Sequence, residues 1–131
     1  MSEFEIYDAM MMSIDMSVTA SMNFVAIVFA YVVAAYVAGK SLPRNVALGT
    51  TTAYTLFLVP HFLGMLGNLR RNYDGVVQLQ AEYPESWTLI DDPIGFAPLA
   101  LLFAIPMFVG WLGSIYFMHG YVRRSQGVKA T

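Results

Sequence analysis

Residues 16–39, MSVTASMNFVAIVFAYVVAAYVAG, run from Asp15 to Lys40 without one ionisable acid or base. As an α-helix rising about 1.5 Å per residue, this run reaches about 36 Å, enough to cross a hydrocarbon core of about 30 Å. Two further runs without Asp, Glu, Lys or Arg follow: 45–69 between Arg44 and Arg70, and 93–122 between Asp92 and Arg123. The pattern predicts an all-α integral membrane protein with three transmembrane helices at about 17–38, 45–69 and 96–120. They run up-down-up, with a longer connection over 70–95.

Composition agrees. The chain is 57% hydrophobic and only 12% charged, where a soluble domain carries about 25% charge. Three spans and their connections use up 131 residues, leaving a single membrane domain over 1–131 and no room for a soluble catalytic module. There is no cysteine, so disulfides, thiolate metal sites and a cysteine nucleophile are excluded. With seven basic residues against nine acidic ones, no basic surface for nucleic acid is expected. The lipid bilayer is the expected partner.

The segment before the first span holds Glu3, Glu5, Asp8 and Asp15 and no base, whereas a secretory signal begins with positive charge. The first span is therefore read as a retained anchor. No Gly or Pro falls between Glu3 and Val37, which predicts that the apolar residues Phe4, Ile6, Tyr7, Met10, Met11 and Ile14 extend the helix outward. Pro43 predicts a reversal after the first span, Pro60 a kink in the second, and Tyr83-Pro84 and Asp92-Pro93 turns in the long connection.

All nine acids fall before the first span or between the second and third, and five of the seven bases (Lys40, Arg44, Arg123, Arg124, Lys129) fall on the opposite side. The positive-inside rule makes the basic side cytoplasmic. The expected topology is N-terminus outside and C-terminus inside, in a prokaryotic cytoplasmic membrane. Arg70 and Arg71 oppose the trend, but they abut a span and can reach headgroups or nearby acids.

Small residues recur at helical spacing. Ala26, Ala30, Ala34 and Ala38 form one stripe, Gly49, Ala53 and Gly64 a second, and Gly110 and Ser114 a third. Small side chains let helix backbones approach closely in lipid, where van der Waals contact replaces the hydrophobic effect as the drive for association. The plainer reading is that alanine is common in spans. These faces exceed what a three-helix core can use, so a homo-oligomer or contacts with other membrane subunits are expected.

Polar groups at membrane depth are costly and are functional candidates by default. The expected cluster is Asp15, Thr19, Asn23, Tyr54 and His61, in which Asn23 and His61 lie about 9 and 10 Å from the outer limit by helical rise. Three uses are open to it: interhelical glue, a proton-linked role, or ligand or metal contact. A haem held by both histidines is disfavoured, because His119 lies four residues from Arg123 and His61 seventeen from Arg44, a depth difference of roughly 20 Å. His119 is read as an interfacial residue. No nucleophile beside a base, phosphate loop or paired catalytic carboxylates appear, so catalytic residues, cofactor and metal are each expected to be none. Asp91-Asp92 forms only a weak cation motif. The expected function is that of a non-enzymatic small membrane protein, an accessory or self-associating subunit. The alternatives are an oligomeric proton or cation pathway and an outward-facing sensor or binding element.

Overall fold

A computed structural model of the chain describes residues 2–85 and 95–122. It is all helical: α1 Glu3–Ala38, α2 Arg44–Glu82, α3 Phe96–Tyr116, and a π-helical segment Phe117–Val122 that continues α3. All three helices are long and apolar enough to cross a membrane. Trp87, the Asp91-Asp92 pair, Arg123, Arg124 and Lys129 lie outside the described residues.

The helix boundaries follow from local chemistry. Ser2 and Glu5 close a capping box at the start of α1: the Ser2 N–H donates to Glu5 Oε2 at 2.8 Å and the Glu5 N–H to Ser2 Oγ at 3.3 Å. Two otherwise orphaned donors are thereby satisfied. The chain leaves α1 at Gly39, whose N–H donates to Ala35 O, and Pro43 sits immediately before α2 with φ −56°, a position that needs no N–H. Pro60 and Pro106 are accommodated inside α2 and α3, which continue through them. α2 ends where Tyr83 leaves the helical region ahead of Pro84, as the residue before a proline must.

α1 and α2 form a long antiparallel hairpin. Near the turn, the rings of Tyr31 and Tyr54 stack with centroids 4.0 Å apart and planes within 12°. Near the far end, the Asn72 amide donates to Met10 O at 3.4 Å, and Gly75 lies so close to Met10 that a Cβ there would overlap the Met10 side chain. α3 lies antiparallel to α2, touching it through Phe96 on Tyr73, Phe108 on Phe62 and Ser114 on Tyr54. The main core is built from Phe24, Tyr31, Ala35, Ala47, Tyr54, Leu58, Met65, Met107 and Met118.

With 36 and 39 residues, α1 and α2 are about 54 and 58 Å long, well beyond the hydrocarbon thickness. The excess over the uncharged runs falls at residues 3–15 and 70–82, which pair as a two-helix stalk at one end of the hairpin. The stalk has its own small core of Ile6, Met10 and Leu79. Buried from water, each such side chain would contribute about 1.5–3 kcal/mol. Within the spans the surface is apolar instead: Val25, Phe29, Leu56, Phe57, Leu102 and Val109 are all exposed, as lipid-facing residues must be.

Candidate functional site

Two polar regions occur along the helices, at different levels. The first is a groove of about 430 Å³ beside the α1–α2 contact, lined by Asp15, Thr19 and Asn23 of α1 and by Pro60, His61 and Asn68 of α2. The pairs Met10/Gly75 and Tyr31/Tyr54 bracket it, so antiparallel register sets Asn23 and His61 at one level. The two do not hydrogen-bond. Phe24 and Leu58 occupy the line of contact between the helices, and the polar side chains stand to one side of it, lining the groove. His61 Nδ1 donates instead to Phe57 O at 2.9 Å. A carbonyl only accepts, so neutral His61 presents an acceptor at Nε2. The carbonyl that Pro60 deprives of a donor is that of Leu56, one residue earlier than the one His61 reaches. Asn23 is exposed, and its amide makes no side-chain hydrogen bond among the described residues.

The second region lies nearer the α1–α2 turn and joins all three helices. Thr51 Oγ1 stands 2.7 Å from Tyr31 OH, 2.8 Å from His119 Nε2 and 2.9 Å from Ala47 O. One hydroxyl proton serves three neighbours: with it donated to Ala47 O, the two lone pairs accept from Tyr31 O–H and from His119 Nε2–H. On the other side of the tyrosine stack, Tyr54 OH and Ser114 Oγ are 2.7 Å apart, Ser114 Oγ donates to Trp111 O at 2.6 Å, and the Trp111 indole N–H reaches Thr55 Oγ1 at 3.4 Å.

This arrangement corrects several expectations. Tyr54 belongs to the second region and not with Asn23 and His61, because its ring is captured by Tyr31. His119 is no isolated interfacial residue. In an α-helix Ser114 and His119 would point about 140° apart, but the wider π-helical turn carries both toward α2. A reading based on 3.6 residues per turn cannot anticipate that. The only sequence hint was that Thr51, Tyr54 and Leu58 fall on one face.

The small-residue stripes are likewise not where this chain packs on itself. Ala26, Ala30, Ala34, Gly49, Ala53 and Gly64 are exposed, Ala38 and Gly110 are half-buried, and Ser114 alone is buried. A Cβ added at Gly49, Gly64 or Gly110 would meet nothing within 4 Å. α1 meets its neighbours through Phe24, Ile27, Val28, Tyr31 and Ala35 instead. The glycines that let one helix approach another are Gly39 and Gly75. At Gly39 a Cβ would strike Ala35 O, and would lie 2.8 Å from Met118 Sδ and 3.0 Å from Val122 Cγ1; at Gly75 it would strike Met10.

Between the two polar regions lies an apolar layer formed by residues 24–30, 56–60 and 103–110, about 10 Å deep by helical rise. Its small cavity, of about 30 Å³, is walled by Phe24, Leu58, Val59, Phe62, Met107, Phe108 and Trp111, and a cavity so lined stays dry. No group of three His, Cys, Asp or Glu residues able to hold a metal occurs among the described residues.

The fold is that of an all-helical protein with three helices long and apolar enough to cross a membrane, which suggests a multi-pass membrane protein. No family model, curated protein or solved structure matches the chain.

Proposed function

We propose that this chain is a non-enzymatic membrane subunit that acts through helix contacts, self-associating or joining a larger complex in a prokaryotic cytoplasmic membrane. Its N-terminal stalk faces outward. The observation that carries this reading is Asn23, an exposed amide within an uncharged run that has no side-chain partner among the described residues. Ala26, Ala30 and Ala34 share its face of α1, and Gly49, Ala53 and Gly64 are exposed on α2. An amide is at once donor and acceptor and finds a partner in a facing helix, while small residues let that helix approach.

The test is subunit counting by photobleaching in native-lipid nanodiscs, with cross-linking in intact membranes. The parent is expected to associate. Gly64→Leu, which has open space within the protomer, should leave the monomer folded and weaken association about tenfold, equivalent to about 1.4 kcal/mol. A parent that is a lone monomer in both assays refutes the proposal. Orientation is tested separately: the chain lacks cysteine, so an impermeant maleimide should label Ser2→Cys but not Ser41→Cys in intact cells.

A further inference from the structure

The groove that holds Asn23 and His61 does not end at Asp15. A second hollow, of about 410 Å³, adjoins it toward the stalk: both have Met12 and Met16 in their walls, and the upper one reaches Arg71, Asp74 and Gln78 of α2. No wall of either comes from α3. Together they form one groove along the α1–α2 hairpin, running from the uncharged run into the charged end of the molecule. Met10 touches Gly75 and Tyr31 stacks on Tyr54, and this antiparallel register puts Asp15 at the level of Arg70 and Arg71.

Most polar groups of the upper hollow are already engaged. Ser13 Oγ donates to Ala9 O, Arg70 Nε donates to Asp74 at 3.0 Å, and Gln78 donates to Glu82. Two opposite charges at one level are not. Arg71 and Asp15 are both exposed, and among the described residues neither makes a hydrogen bond or an ion pair, with the other or with any third residue. A cation on one wall and an anion on the other, held apart, match a ligand that carries both signs. The level says what sort. Asp15 and Arg70 are where two uncharged runs stop, which on the membrane reading is the headgroup layer. About one turn deeper, Thr19 and Asn68 line the same groove and offer donors to groups that only accept, such as ester carbonyls. Met16 and Ala20 then present thioether and methyl surface, against which an acyl chain packs.

We propose that this groove binds a membrane phospholipid whose headgroup ends in a primary ammonium, with its phosphate on Arg71, its ammonium on Asp15 and its ester carbonyls at Thr19 and Asn68. The guanidinium offers a phosphate a paired N–H fork. The Asp15 carboxylate only accepts, so a primary ammonium has N–H donors for it where a quaternary one has none, and a headgroup with negative charge alone would be repelled. The inference rests on the membrane reading but not on self-association, whose small residues Ala26, Ala30 and Ala34 lie deeper than Asn23.

The test is native mass spectrometry of the full chain released from micelles doped with equal amounts of phosphatidylethanolamine, phosphatidylcholine and phosphatidylglycerol of identical acyl chains. The parent is expected to retain phosphatidylethanolamine about fivefold or more over either of the others. Arg71→Gln should cut retention of all three about tenfold. Asp15→Asn should keep phosphate binding but reduce the preference for ethanolamine over choline to about twofold or less. Arg44→Gln, which removes an exposed base at the other end of α2, should change neither. Free phosphoethanolamine should not displace the lipid; displacement would assign the site to a water-soluble ligand and overturn the proposal. So would equal retention of the three lipids, a preference for phosphatidylglycerol, equal losses in Arg71→Gln and Arg44→Gln, an unmoved preference in Asp15→Asn, or no lipid retained. Circular dichroism confirms that each variant keeps its helices, and the comparison of lipids on the parent needs no variant. A parent soluble without detergent refutes the membrane reading together with this one, whereas a parent that associates but selects no lipid refutes this proposal alone.

Discussion

Replacing Thr51 by Val keeps the shape of the side chain and removes the oxygen shared by three helices. In the parent, that oxygen is 2.7 Å from Tyr31 OH and 2.8 Å from His119 Nε2. Tyr31 is only 6% exposed, so its hydroxyl has no ready substitute partner. Interhelical hydrogen bonds in membrane proteins average about 0.6 kcal/mol and reach about 1.7 kcal/mol, and two are lost. Thr51→Val should therefore destabilise the chain by about 1–3 kcal/mol. Tyr31→Phe, which preserves the stack on Tyr54, should cost about half as much. The two variants share one bond, so the double variant should be less destabilised than the sum of the singles by about 0.6–1.7 kcal/mol. Reversible unfolding in mixed detergent micelles, followed by circular dichroism, measures all four corners of the cycle. Strict additivity to within about 0.3 kcal/mol would refute the shared-acceptor geometry, whatever the size of the single effects.

Further outcomes follow from the glycines and the caps. Gly39→Ala should destabilise by about 1–3 kcal/mol through overlap with Met118 and Val122, whereas Gly49→Ala should be neutral or gain up to about 1 kcal/mol from helix propensity; equal effects in the same micelle assay would contradict the placement of the π-helical segment. Gly75→Ala sets that propensity gain against overlap with Met10, and trimming the obstacle with Met10→Ala should turn the Gly75 substitution from destabilising to stabilising. At the N-terminus, the Ser2 backbone N–H and then its hydroxyl hold the Glu5 carboxyl below its ordinary range. A lowered folded value means the cap is intact above the unfolded carboxylate range and lost as pH falls through the folded value. Amide protection of the first turn of α1, corrected for intrinsic exchange, should fall on acidification in the parent and be low throughout in Ser2→Ala; protection independent of pH in the parent would contradict the capping box.

Much of the helical architecture was legible because lipid imposes a simple rule: a span must be long and uncharged. Runs 16–39 and 45–69 obey it, and the absence of Gly and Pro up to Val37 announced the extension of α1. What remained hidden was which face of each helix meets which. Small residues indicated where backbones are able to approach, but the hairpin closed through Tyr31, Tyr54 and Phe24, whose larger surfaces gain more dispersion contact. The alanine stripe was thus left on the outside. Asn23 and His61 line one groove, as rise per residue alone allows, but whether they bond depends on rotation about each axis, which a charge-free run does not encode. His119's partner Thr51 was hidden for a related reason: six residues wound as a π-helix altered the rotation that a 3.6-residue period assumes.

The dry layer between the two polar regions has an electrical consequence. Because residues 24–30, 56–60 and 103–110 carry only apolar side chains, they offer an ion no polar station inside one copy. Current, if an assembly of these chains ever carries any, must therefore run along the seams between copies and not through the middle of one.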